Sequence, residues 1–205
     1  MDFLINVQRI VNLPITSNCF VITSEDSFSC IVVDPGSLEN QSLINYLDAN
    51  NLSVSKVILT HEHFDHIGGV INLYSKFEFQ LLCSLKTAVG IADNRINLSY
   101  YHDQIQPIEI FITPKIVNDN DELIFGGNPL TFYLTPGHSA GSTCFNIGNY
   151  FFTGDTILDN KKTRLNLPGS SKKYFAETKI KLDNLLKFDM RICPGHGDCF
   201  IYNQF

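Results

Sequence analysis

Four candidate metal ligands, His61, His63, Asp65 and His66, fall within the six residues His61-Glu62-His63-Phe64-Asp65-His66, directly after the apolar run Val57-Ile58-Leu59-Thr60. A buried strand that ends in such a cluster delivers imidazoles and a carboxylate to one point at its C-terminal end, where open α/β sheets place their sites. His61 and His63 are two apart, so in extended or loop backbone their side chains share a side. Neutral imidazole nitrogens bind a divalent ion at about 2.0–2.1 Å. Asp65 and His66 follow at once, and Gly68-Gly69-Val70-Ile71-Asn72-Leu73-Tyr74 reads as a helix entered through small residues. Both therefore fall near a helix N-terminus, where a carboxylate is electrostatically favoured.

A dinuclear site needs further ligands, and three isolated ones lie in glycine-containing turns after apolar stretches. They are His138 in Pro136-Gly137-His138-Ser139, Asp155 in Thr153-Gly154-Asp155-Thr156 and His196 in Pro194-Gly195-His196-Gly197. Glycine lets backbone approach a ligand closely or adopt positive φ. A single loop histidine is more often solvent-exposed or hydrogen-bonded than a ligand. Here five of the six histidines stand in one cluster or beside glycine, and only His102 is left over. That placement and the donor types point to a metal-dependent enzyme.

The order His61-x-His63-x-Asp65-His66, His138, Asp155, His196 resembles the metallo-β-lactamase superfamily. Asn18-Cys19-Phe20, Val32-Val33-Asp34-Pro35-Gly36 and the final Pro194-Gly195-His196-Gly197 resemble its glyoxalase II-like (hydroxyacylglutathione hydrolase-like) branch. The resemblance implies an α/β (α+β) fold, a four-layer αββα sandwich with metals at one edge of its two sheets. It also implies that His61, His63 and His138 hold a first metal, that Asp65, His66 and His196 hold a second, and that Asp155 bridges them. Asp34 would be a supporting residue. Zn is the expected ion, and the same donors accept Fe or Mn.

Two divalent ions about 3.5–4 Å apart can hold a bridging water as hydroxide near neutral pH while one polarises a carbonyl. Asp65 would orient that nucleophile and take its proton. The branch resemblance implies an acyl thioester as substrate, since its thiol leaves as thiolate without a dedicated general acid. Two departures bear on which thioester. Full glyoxalase II enzymes carry a helical region after the last histidine that helps hold glutathione, whereas only Gly197 to Phe205 remain here. A single domain over residues 1–205 with weak affinity for glutathione is therefore expected. Relatives also show a Gly-Arg-x-Asp-x-Pro-Gly-Gly-like segment where this chain has Thr163-Arg164-Leu165-Asn166-Leu167-Pro168-Gly169-Ser170. Arg164, Lys172, Lys173 and Tyr174 are the candidate substrate contacts.

Rival readings rest on other features. A persulfide dioxygenase of the same superfamily resembles the first cluster but uses one iron held by two His and an Asp, and its usual ending around the last His differs from Pro194-Gly195-His196-Gly197. The secreted β-lactamase subclass with a Cys ligand has that Cys where this chain has Asp155. A non-catalytic binding relative would have lost ligands, and all seven positions are filled.

Composition permits the fold. At 205 residues and 44% hydrophobic, the chain suits one large domain with a sizeable core. Strand-like runs occur near Cys19–Thr23, Cys30–Asp34, Val57–Thr60, Phe79–Cys83, Leu130–Leu134, Thr143–Ile147 and Tyr150–Thr153. Leu43, Ile44 and Leu47 make a helical stripe after the N-cap candidate Ser37. A net charge of −6 argues against a nucleic-acid partner, which needs clustered Lys or Arg. No stretch reads as a signal peptide or a membrane span. The six cysteines include no Cys-x-x-Cys pair and read as small hydrophobes in a reducing, cytoplasmic setting, with Cys193 and Cys199 flanking His196 as packing residues.

Overall fold

The apolar runs all become strands. In the computed structural model, which describes residues 4–25, 27–36, 38–159 and 161–203, β1 (Ile5–Val11) and β2 (Asn18–Ser24) form an antiparallel hairpin, and β3 (Ser29–Val33) adds to it. Helix α1 (Gln41–Ala49) then crosses to β4 (Ser53–Ile58). The short helices α2 (Phe64–Ile67) and α3 (Val70–Tyr74) lead to β5 (Gln80–Cys83), and α4 (Leu85–Ile91) precedes the edge strand β6 (Lys115–Ile116). Strands β3 to β6 are mutually parallel. The first sheet therefore runs β1-β2-β3-β4-β5-β6.

The second sheet begins as an antiparallel meander of β7 (Glu122–Phe125), β8 (Asn128–Leu134), β9 (Thr143–Ile147) and β10 (Tyr150–Gly154). Helix α5 (Lys172–Leu185) returns the chain to β11 (Arg191–Pro194), parallel to β10, with β12 (Phe200–Ile201) outside it. No helix among the described residues is long and apolar enough to cross a membrane.

Strands buried on both faces read as continuous apolar runs, and β2 to β4 divide their residues by the two-residue strand period. Val21, Val32 and Val57 pack outward against Leu43, Leu47 and Leu73 of α1 and α3. Phe20, Ile31 and Ile58 face inward onto Phe132, Phe145 and Phe152 of the second sheet. The far side of that sheet buries Cys144, Phe151 and Ile192 against Leu182 of α5 and Leu186 just beyond it. These three cores separate four layers, αββα, as the resemblance implies.

Two local expectations need correction. The stripe Leu43, Ile44, Leu47 is buried on α1, but the helix starts at Gln41 with Asn40 at the N-cap position; Ser37 lies outside the described residues. The helix expected through Gly68–Tyr74 is two pieces, and Asp65 and His66 belong to α2 itself. The chain breaks there because it wraps the β3–α1 loop: Gly36 N donates to His66 O and Gly69 N donates to Gly36 O. A Cβ on Gly68 would lie 2.6 Å from Gly36 O.

Candidate metal centre

The cluster sits where β3 and β4 end side by side. Asp34 follows β3 with φ 48, and its buried carboxylate accepts from Thr60 N (2.8 Å) and Thr60 Oγ1 (2.6 Å) and bonds His66 Nδ1 (2.9 Å). One carboxylate thus pins the end of β4 and orients a histidine from α2. Because the Thr60 hydroxyl hydrogen goes to Asp34, its oxygen is left to accept from His61 Nδ1, 3.0 Å away. Residue alternation then turns Glu62 away from its neighbours, onto Ser139 Oγ at 2.9 Å.

The other ligands arrive from the second sheet. His138, in the β8–β9 turn, has Nδ1 3.1 Å from Arg164 O, and His196 has Nδ1 2.9 Å from Thr16 O. A carbonyl only accepts, so both Nδ1 atoms carry hydrogen, and Nε2 is in each the atom that can ligate an ion. His63 differs: its Nδ1 lies 3.0 Å from His138 Nε2, so Nδ1 faces the cluster.

Three groups of donor atoms lie within 4.8 Å of one another: His61, His63 and His138; Asp65, His66 and His196; and Asp34, His61 and His66. Asp155 stands between the first two. Its Oδ2 is 3.5 Å from His138 Nε2 and 3.6 Å from His196 Nε2, and its Oδ1 is 3.6 Å from His66 Nε2. Asp65 Oδ2 lies 3.2 Å from His196 Nε2. Gly195 makes this closeness sterically feasible, since a Cβ there would fall 2.2 Å from Asp155 Oδ1 and 2.8 Å from His66 Cε1.

The donor set fits divalent cations. Of the atoms that face the cluster, His61 Nε2, His66 Nε2 and Asp155 Oδ1 are buried without a hydrogen-bond partner. Buried polar atoms left unpaired are costly, and converging imidazole and carboxylate donors suit Zn or a similar ion.

Electrostatics divide the histidines. Burial, reinforced by neighbouring imidazoles, holds His61 well below its ordinary range and His63 down to about 3, so both are neutral and ready to ligate. Burial also lowers His138. For His66 burial opposes the charge, but Asp65, Asp34 and Asp155 outweigh it and raise it to about 10. His196 is raised in the same way, its burial offset by Asp65 and Asp155. Burial would raise Asp65, yet His66 and His196 prevail and hold it below the usual carboxylate range. The carboxylate field that keeps a proton on His66 is the field that would attract a metal in its place.

All seven residues of the proposed ligand set come together, and Asp34 supports them. Arg164 and Lys172, Lys173 and Tyr174 are exposed. Arg164 touches the cluster through its backbone carbonyl; the other three form the first turn of α5, which begins where Ser171 N bonds Gly137 O beside His138. His102 stays outside, its ring 5.2 Å from that of Phe64. Cys193 is buried in the inter-sheet core and half-buried Cys199 packs against it.

Sequence reasoning missed the supports. Asn18 Nδ2 donates to Pro194 O and Gly197 O, both at 2.8 Å, and Asn18 N donates to Gly195 O, so one buried residue of β2 holds the His196 turn. Thr60 and Glu62 are the other two. The signal for Glu62 was present: in an extended His-Glu-His run the middle residue must face the opposite way.

The sequence profile of the metallo-beta-lactamase superfamily matches residues 13–196. The chain is 29% identical over 194 residues to an uncharacterised protein of Mycobacterium tuberculosis, covering 88% of this chain and 86% of that one. It is 28% identical over 190 residues to a hydroxyacylglutathione hydrolase of Klebsiella pneumoniae, covering 92% of this chain but 66% of the relative. Among solved structures, the BLEG-1 B3 metallo-beta-lactamase superposes with a TM-score of 0.87 at 25% identity, covering 96% of this chain and 94% of that one.

Proposed function

We propose that this chain, which belongs to the metallo-beta-lactamase superfamily, is a dinuclear metal hydrolase that cleaves acyl thioesters. The observation that carries the dinuclear reading is Asp155, whose carboxylate lies within 3.6 Å of imidazoles from both donor triads. His61, His63 and His138 would hold one ion, Asp65, His66 and His196 the other, with Asp155 between them. Bound there, divalent ions, of which Zn suits these donors, supply Lewis acidity toward a carbonyl and acidify a water. Likeness to a hydroxyacylglutathione hydrolase supports the thioester as substrate.

The chain's own residues set the remaining terms. Asp65 is kept ionised by its imidazole neighbours, so it accepts and orients the hydrogen of a nucleophilic water and takes up the proton only in passing. Asp34 acts through His66 and Thr60 as a positioning residue. Arg164, Lys172, Lys173 and Tyr174 are proposed to meet the thiol side of the substrate. Free cysteines fit a reducing, cytoplasmic setting.

The test is metal stoichiometry in the purified protein together with thiol release from a panel that includes S-lactoylglutathione and small acyl thioesters, run beside a β-lactam. About two ions per chain and chelator-sensitive thiol release are expected. Iron-dependent oxygen uptake with glutathione persulfide, without thioester cleavage, would overturn the reading in favour of a dioxygenase; turnover of the β-lactam alone would overturn it in favour of a lactamase.

A further inference from the structure

Beside Asp65 opens a cavity of about 370 Å³, within the range of small-molecule sites. Its walls are Leu13, Pro14 and Ile15 from the β1–β2 loop, Phe64 from α2 and Ile105 from the loop before β6. Leu13 is 68% exposed and Leu38, on the rim, 44%. One exposed leucine says little; two on a concave surface beside converging metal donors mark a ligand contact.

The cavity is coupled to the metal centre by the bonds that build it. Asn12 N donates to Ser17 O at 2.9 Å, closing the loop that carries Leu13 to Ile15. Ser17 Oγ then donates to Asp65 O at 2.6 Å, and His196 Nδ1 donates to Thr16 O at 2.9 Å. The segment forming the apolar wall thereby braces two donors of the second triad, one of which, Asp65, itself lines the cavity.

Charge says what the molecule is. Among the described residues lining the cavity there is no Lys or Arg, and its only charged groups are the carboxylates of Glu39 and Asp65. With Asp65 ligating an ion, Glu39 is the one charge left in the lining, and nothing there recognises an anionic group. The basic residues Arg164, Lys172 and Lys173 stand instead near His138, a donor of the first triad, and none of them lines the cavity. The donor cluster thus has an apolar, acidic-rimmed cavity beside its second triad and an exposed basic segment near its first.

We propose that the cavity is the acyl subsite and takes an unbranched, uncharged aliphatic chain, with the reacting carbonyl at the donor cluster and an anionic thiol carrier directed to the basic segment. The inference rests on the hydrolase reading and deepens it: the substrate is an apolar acyl thioester rather than a small hydroxyacyl one.

The experiment has two arms. With one thiol held constant, kcat/KM should rise about fourfold for each methylene added to a straight acyl chain, the increment for a buried CH₂, until the cavity is full. Leu13→Asp, at a position exposed enough to leave folding intact by circular dichroism, should flatten that rise. Independently, a neutral long-chain methyl ketone should shift the NMR methyl signals of Ile15 and Ile105 saturably in the native protein, and the shift should be lost in Leu13→Asp. If the ketone binds at those methyls but no thioester is cleaved, the acyl cavity stands and the hydrolase reading falls. If thioesters are cleaved with no dependence on chain length and the methyl signals do not move, the subsite is overturned and the hydrolase reading stands.

Discussion

The two halves of the metal centre are built in opposite ways. On the first sheet, His61, His63, Asp65 and His66 come from one continuous segment that runs from a strand end into a single helical turn. On the second, His138, Asp155 and His196 come from three separate turns, each held by a contact distant in sequence: Arg164 O for His138, Gly195 N to Gly154 O beside Asp155, and Asn18 with Thr16 for His196. Local covalent geometry positions the first half. Long-range packing positions the second, which should therefore be the more fragile and the more readily tuned.

Removing the residue that joins the halves should have the largest effect. Asp155→Ala should reduce bound metal from about two ions per chain toward one or none and lower activity by more than the roughly 100-fold typical of losing a group that merely supports a ligand. The circular dichroism spectrum should remain that of a folded sandwich. Two tightly held ions with full activity would remove Asp155 from the bridging position.

Asp34→Ala tests the local half through its support. It takes the Nδ1 partner from His66 and the anchor from Thr60, and a supporting group of this kind is worth about 10–100-fold in metal affinity. Competition with a fluorescent chelator should show that loss. Unchanged affinity would mean that backbone alone positions the first cluster.

Hydrogen-ion concentration should act through His66. Its value in the folded protein, raised to about 10 against an ordinary 6.5, means that the charged form stabilises the metal-free fold. That contribution is complete below about pH 6.5 and is lost as pH rises through about 10. Melting temperature of the chelator-treated protein should accordingly fall between those limits. Metal must displace the same proton, so affinity should rise about tenfold per pH unit for each proton released. Calorimetry in buffers of different ionisation enthalpy counts those protons; release of none would contradict a protonated His66.

The distant half is probed more gently by Asn18→Ala, which removes two hydrogen bonds holding the His196 turn, each worth about 1 kcal/mol. The second ion should be lost more easily than the first, as seen by stepwise chelation. Equal loss of both would show that the His196 turn does not depend on its anchor. Smallest of all should be Arg164→Ala. The bond to His138 uses backbone carbonyl, so metal content should hold while KM for an anionic thioester rises by a few-fold, the scale of an exposed charge contact.

Much of the centre could be read from residue order. The His-x-His-x-Asp-His run needs only a strand ending and one helical turn to converge, and the apolar runs named both sheets because strands buried on two faces are apolar throughout. Less legible were β1, whose Ile-Asn-Val-Gln-Arg-Ile-Val sequence has one face in water, and α5, which buries only Thr178 and Leu182 of its fourteen residues. Such elements owe their place to neighbours rather than to a periodic apolar pattern.

By itself the sequence determined the donor types, the contiguous half of the ligand set and the apolar layers, because each depends on spacing along a few residues whose local geometry is narrow. Tertiary structure alone decided which nitrogen of each histidine faces the cluster, that Asn18 holds the His196 turn and that an apolar cavity opens at Asp65. Those outcomes depend on carbonyls, hydroxyls and carboxylates from segments as far apart as Thr16 and His196. Nothing in the local spacing of a chain encodes which distant backbone atom will accept its hydrogen; that is settled only when the two sheets close on each other.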